Sequence, residues 1–168
     1  MNLGAFMNPE YPIFSTTLCY LERDDAYLML HRVKKQDDYN HDKWVGVGGK
    51  FERFESPEDC LLREVREETG LTLTRWQCRG VVTFLSDRWE GEYMYLFTAD
   101  GFTGSEIECN EGDLQWVSRE FLDRLPKWEG DAIFLDLLWK NAPFFLLKLR
   151  YEGEKLTEAV LNGERIRG

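Results

Sequence analysis

The stretch Gly49 to Leu71, GKFERFESPEDCLLREVREETGL, allows few local structures. Ser56 followed by Pro57 starts a helix: serine caps exposed N–H groups, proline is tolerated in the first turn, and Glu58 and Asp59 favour the positive end. Leu61, Leu62 and Val65 give this helix an apolar side, and Gly70 ends it. Its other side carries Glu64, Glu67 and Glu68 at i, i+3 and i+4, so three carboxylates leave one face and crowd one another. Arg63 reaches Glu67 at i+4 but does not neutralise all three. Like charges at this spacing oppose a helix by about 0.2 to 0.5 kcal/mol per pair, a cost that a merely solvated face has no need to carry. A hard divalent cation removes it.

The rest of the chain reads in order around this helix. Residues 1–12 are expected to be loose. Ile13 to Glu22 and Tyr27 to Arg32 read as strands joined by a turn at Arg23 to Asp25, a hairpin. The polar run Lys34 to Lys43 is a loop long enough to overhang a site. Trp44 to Val47 is a short buried strand feeding Gly48 and Gly49, where the backbone can turn sharply and approach a ligand. Trp76 to Leu85 and Glu92 to Ala99 make an antiparallel pair in which Tyr93, Tyr95 and Phe97 alternate as half-buried residues. A strand at Leu114 to Val117 precedes a short helix, SREFLDRL, starting at Ser118, and a further helix runs from Asp131 to Lys140. Phe144 to Tyr151 and Lys155 to Leu161 close the chain as a hairpin turning on Glu152 and Gly153. The interleaving of strands and helices places the chain in the α/β (α+β) class, and 168 residues that are 43% hydrophobic suit one domain spanning 1–168.

The net charge of −10 argues against a sequence-independent hold on polymeric nucleic acid, which depends on basic side chains displacing counterions. A small anionic substrate stays open, because a bound cation reverses the local field of an acidic site. Cys19, Cys60, Cys78 and Cys109 form no CxxC pair, which argues against zinc and for reduced core thiols in a cytoplasmic protein. No apolar run approaches the length of a membrane span, and oligomeric state is not legible.

Gly49, Glu55, Arg63, Glu64, Val65, Glu67, Glu68, Gly70 and Leu71 match all the specified positions of G-x5-E-x7-R-E-U-x-E-E-x-G-U, with U aliphatic. In this the chain resembles the Nudix hydrolases. The resemblance implies a mixed sheet sandwiched between helices, Mg²⁺ or Mn²⁺ as cofactor, and attack of water on a nucleoside diphosphate linked to a further group. It carries over Glu64, Glu67 and Glu68 as metal ligands together with the carbonyl of Gly48, and makes Glu64 or Glu67 a candidate base. Arg63 orients the glutamates, Glu55 fixes the loop through helix-end hydrogen bonds, and Lys50 faces phosphate. A further acidic ligand comes from the run holding Glu106, Glu108, Glu111 and Asp113. Glu111, five residues before Trp116, is the choice.

Beyond this box, LMLHR, KWVGVGGKFE, LPKWEGD and the closing FFLLKLRYEGEKLTEAVL are similar to the subgroup of the family that clears oxidised purine nucleotides such as 8-oxo-dGTP. That similarity implies a small-molecule nucleoside triphosphate as substrate, a base stacked on Trp128 and read by Asp131, and Thr17 and Arg32 facing base and phosphates. Animal members have a second aspartate where this chain has Gly130, and an asparagine where it has Val45. Other nucleoside diphosphate derivatives, and a nucleotide sensor without turnover, are the competing readings.

Overall fold

The computed structural model describes residues 12–168, so the expectation of a loose start falls, for residues 1–11, outside the described residues. Among the described residues the order is β1 (Ile13–Arg23), β2 (Ala26–His31), β3 (Trp44–Val45), β4 (Val47–Lys50), α1 (Pro57–Thr69), β5 (Thr72–Ser86), β6 (Gly91–Thr103), β7 (Asp113–Ser118), α2 (Arg119–Leu122), α3 (Asp131–Trp139), β8 (Phe145–Glu152), β9 (Lys155–Leu161) and β10 (Glu164–Arg167). The strands form a mixed sheet ordered β10-β9-β8-β5-β6-β1-β2-β3, with β4 pairing β1 and β7 pairing β2. The β1–β6 and β5–β8 pairs are parallel.

Successive strand residues point to opposite faces, and each face meets a helix. Cys19, Leu21, Phe97 and Ala99 pack with Leu61 and Val65 of α1, whereas Tyr20 and Leu96 pack with Phe134, Leu135 and Leu138 of α3. Full burial of each large apolar side chain contributes roughly 1.5 to 3 kcal/mol, so these two layers fix the sheet between its helices. All four cysteines are free thiols, and Cys19, Cys60 and Cys109 are buried.

Several elements depart from the sequence-based expectation. The first hairpin is one turn deep: β1 pairs β2 only at Glu22–Tyr27 and Arg23–Ala26. Upstream, β1 takes β4 as partner from Thr16–Lys50 to Cys19–Val47, while β2 continues onto β3 and β7. The strand expected over Trp44 to Val47 is therefore split at Gly46 between two partners. The helix expected over SREFLDRL shortens to α2, because Pro126 disfavours helical backbone at Leu125 and the chain tightens into i→i−3 turns at Arg124 and Leu125. Strand β10 is an addition, its exposed residues ERIR carrying no apolar face.

Candidate active site

Helix α1 starts and stops where its sequence predicts. Ser56 accepts from the Asp59 N–H at 3.1 Å, the Asp59 carboxylate accepts from the Ser56 N–H at 2.9 Å, and Gly70 at φ 79° closes the other end. This capping box leaves the helix end to Ser56 and Asp59, so the loop-fixing role expected of Glu55 runs through other bonds than helix-end ones. Its carboxylate instead accepts from the Glu52 N–H at 2.6 Å and from two nitrogens of Arg63 at 2.7 and 2.8 Å. Arg63 also donates to Glu64 at 2.7 Å, to Glu67 at 3.2 Å and to the Lys50 carbonyl at 3.1 Å. It therefore ties loop to helix and neutralises the outer part of the acidic face. Glu67 stays on the solvent side, its side chain 59% exposed.

The inner part of that face is built by close backbone approach. At Gly48 a Cβ would stand 1.8 Å from the Thr17 carbonyl oxygen, so only glycine lets β4 lie this near β1. Its N–H donates to the buried carboxylate of Glu68 at 3.0 Å. Gly112 is seated in the same way, a Cβ there falling 1.9 Å from the His31 carbonyl oxygen, and this holds Glu111 against the end of β2. Arg32 donates to Glu111 at 2.7 Å and to Asp38 at 2.6 Å, and Lys35 reaches the other oxygen of Glu111 at 3.3 Å. Of the other acidic candidates, Glu106 accepts from the Trp116 indole at 3.2 Å, Glu108 lies exposed beside Lys34, and Asp113 is exposed.

Burial, followed by the hydrogen bond and charge of Glu111 and the charge of Glu64, pushes the Glu68 carboxyl up to about 9 against the opposing Gly48 N–H. Burial also works upward on Glu111, but the hydrogen bond from Glu68 and the charges of Arg32 and Lys35 hold it below its ordinary range. Burial and the neighbouring carboxylates thus favour the neutral form of Glu68, while the neighbouring cations favour the ionised form of Glu111. Burial raises Glu64 too, with Arg63 opposing. Among the described residues, no three His, Cys, Asp or Glu side chains stand at the separations of a metal centre; Arg63 and Arg32 lie on carboxylates that would serve one. The donor set nevertheless fits a hard divalent cation. Glu64, Glu68 and Glu111 offer carboxylate oxygens, the donors such a cation takes, and the charges of Glu64 and Glu111 that raise Glu68 are what it would neutralise.

A cavity of about 490 Å³ opens beside these groups. Thr17, Arg32, Gly48, Lys50, Glu64, Glu111, Trp128 and Asp131 line it, whereas Arg63, Glu67 and Glu68 stand outside its lining. Elsewhere on the lining, Trp128 donates its indole N–H to Asn40 at 2.7 Å and meets Phe84, Trp89 and Tyr151 edge-on. It is 5% exposed, and so is core as well as wall. Burial pushes the Asp131 carboxyl up to about 7, with Lys127 and Lys43 pulling the other way. Thr17 Oγ1 lies 3.4 Å from Cys60 Sγ. Lys50 pairs with Glu90 at 2.9 Å over the Phe14 ring, and like Arg32 it is already engaged.

Tyr39, Asn40, Phe84, Glu92 and Met94 also line the cavity, and the sequence does not single them out. Tyr39 and Asn40 belong to the polar loop, which does overhang the site: its ends are drawn together where the Arg32 N–H donates to the Lys43 carbonyl at 3.0 Å and the Asp42 N–H to the Arg32 carbonyl at 2.7 Å. Glu92 and Met94 alternate with Tyr93 and Tyr95 on β6, and the same period of two that marks the tyrosines also marks this cavity face. Burial raises the Glu92 carboxyl, while the Tyr39 and Thr16 hydroxyls that donate to it act downward.

Residues 13–138 match the sequence profile described as the NUDIX domain. The chain is 38% identical over 130 residues to the uncharacterized Nudix hydrolase YvcI of Bacillus subtilis (strain 168), covering 74% of this chain and 78% of that one. It is 29% identical over 114 residues to the oxidized purine nucleoside triphosphate hydrolase of Danio rerio, covering 66% and 71%. The crystal structure of the MutT protein from Bacillus halodurans superposes with a TM-score of 0.78 at 24% identity, over 90% of this chain and 99% of that one.

Proposed function

Since the chain belongs to the Nudix hydrolase family, we propose that it hydrolyses a nucleoside triphosphate to monophosphate and pyrophosphate with Mg²⁺ or Mn²⁺, and that its substrate is an oxidised purine nucleotide such as 8-oxo-dGTP. The observation that carries this reading is a single cavity whose lining combines the carboxylates of Glu64 and Glu111 with a tryptophan, Trp128, and a further acid, Asp131. Its volume falls among those of small-molecule sites, and the name of the Danio rerio relative supports the substrate class. The reading treats residues 1–168 as one cytoplasmic domain with a small-molecule partner and neither polymeric nucleic acid nor a membrane. Among the described residues no helix is long and apolar enough to cross a membrane.

Glu64, Glu68 and Glu111 would hold the cation, with Glu67 from the solvent side and the carbonyl of Gly48. Once bound, the cation supplies charge neutralisation at the phosphates and makes a coordinated water more acidic. Arg63 keeps Glu64 and Glu67 in register with the loop. Glu64 or Glu67 takes the proton of the attacking water, as a positioned carboxylate can. Arg32 and Lys50 neutralise phosphate oxygens by sharing the donors now given to carboxylates. Trp128 stacks the base, a contact worth roughly 1 to 3 kcal/mol. Thr17 faces the base, and Asp131 meets its edge, where hydrogen bonding supplies discrimination.

Product analysis with purified protein and Mg²⁺ tests this, comparing 8-oxo-dGTP, dGTP, ADP-ribose and a diadenosine polyphosphate at matched low concentration. Monophosphate plus pyrophosphate, with a preference for 8-oxo-dGTP, is the expected result. Turnover of another substrate keeps the hydrolase and discards the base pocket, and binding without turnover makes the domain a sensor.

A further inference from the structure

Glu92 has no part in the chemistry above, yet its carboxylate faces the nucleotide cavity from β6. Tyr39 donates its hydroxyl to one oxygen and Thr16 donates to the other at 3.3 Å. An ionised carboxylate offers about four acceptor positions and no donor, so these two bonds fix its orientation and leave acceptor capacity on both oxygens. Lys50, whose charge also acts on Glu92, pairs with Glu90 rather than with Glu92. A second acceptor, Asp131, lines the same cavity, and among the described residues no donor is bonded to its side chain. The Asn40 carbonyl oxygen is occupied by Trp128. Glu92 and Asp131 thus bring two carboxylate acceptors into one cavity, and a ligand that leaves an inward-facing carboxylate opposed by another acceptor is penalised.

We propose that Glu92 is a specificity-determining residue, whose carboxylate accepts a hydrogen bond from the nucleobase and so selects a base presenting donors on two edges, one to Glu92 and one to Asp131. The inference rests on the nucleotide reading above and deepens it. Oxidation of guanine at C8 turns N7 from an acceptor into an N–H donor while the amino and N1–H donors remain. The undamaged base presents an acceptor where the oxidised one presents a donor. A pocket with two carboxylates discriminates between them through pairing rather than shape, as sites built to hydrogen-bond a particular group do.

The test is kcat/KM for wild type, Glu92→Gln and Tyr39→Phe on 8-oxo-dGTP, dGTP and dITP, with thermal melts to confirm folding. Glu92→Gln, whose amide can donate, is expected to lower the 8-oxo-dGTP to dGTP ratio by at least about tenfold, mainly through KM. Tyr39→Phe, which frees one oxygen of Glu92 from its orienting bond, is expected to lower the same ratio by a smaller factor. Glu92→Met, which fills a similar volume without an acceptor, replaces the glutamine variant if that fails to fold, with the same expected loss of ratio. A common factor for all nucleotides in the Glu92 variants, or no change, overturns the proposal and leaves Glu92 as a support for Tyr39. If wild type turns over ADP-ribose and none of the triphosphates, the substrate reading fails separately. Glu92 is then judged on ADP-ribose against its hypoxanthine analogue, where a changed ratio upholds it and a common factor overturns it. For a protein that binds without turnover, the same ratios of Kd decide.

Discussion

At the acidic end of the cavity, Glu64 and Glu111 are held by charge, through Arg63 and Arg32, and Glu68 by the backbone N–H of Gly48. At the aromatic end, Trp128, Phe84 and Tyr151 are held by packing within the α3-side core. The contrast separates two kinds of dependence. A charge on the outer helix face can be neutralised with little loss of packing, so damage there is read in turnover. Trp128 serves fold and ligand together, so damage there is read in stability and KM at once.

The largest effect is expected from Glu67→Gln, which lowers kcat/KM by at least about a hundredfold if the carboxylate ligates the cation, with an unchanged Tm because its side chain is 59% exposed. Near-normal turnover would confine the cation to the inward carboxylates and divide the acidic end in two. Trp128→Ala comes next, losing roughly 3 to 5 kcal/mol of stability and raising KM. Trp128→Phe, which keeps one ring but loses the other together with the bond to Asn40, is expected to cost less than alanine, about 1 to 3 kcal/mol in denaturant melts. An unchanged KM in both variants makes Trp128 a packing residue alone.

Asp131 links the two kinds of dependence through pH. An unfolded aspartate titrates near about 3.9, whereas burial lifts folded Asp131 to about 7. The native state thus holds the proton more tightly, and this contribution is complete below the unfolded value and lost as pH rises through the folded one. Asp131→Asn is therefore expected to gain more Tm over wild type at pH 8 than at pH 5, and an equal offset at both would show the carboxyl to be solvated. The smallest effect is expected from Lys50→Ala, a two- to fivefold rise in KM, about what an exposed ion pair is worth. A larger rise would mean that Lys50 leaves Glu90 entirely for phosphate.

The acidic end is legible because its signals are local. Ser56, Pro57 and Gly70 bound the helix, and i, i+3, i+4 spacing places the glutamates without reference to any other segment. Glu111 is less local: it reaches the cluster only because β7 pairs β2 from Ala26–Ser118 to His31–Asp113 and Gly112 seats against His31. Tyr39 and Glu92 are illegible for the same reason carried further. Nothing within KKQDDYNHDK distinguishes a cavity tyrosine from a solvated one, and its partner lies 53 residues downstream. The missed β10 has no apolar period to announce it, and the overlong α2 shows a local propensity ended by its neighbour, Pro126.

The polar loop is fastened at both ends of the cavity. Asp38 holds Arg32, which holds Glu111, while Asn40 holds Trp128. Occupants of the two ends consequently share one mechanical element, and their affinities obey reciprocity: whatever factor a nucleotide adds to the cation's affinity, the cation returns to the nucleotide's. Under the proposed function, an affinity measured for either ligand alone would therefore not give the affinity of the pair.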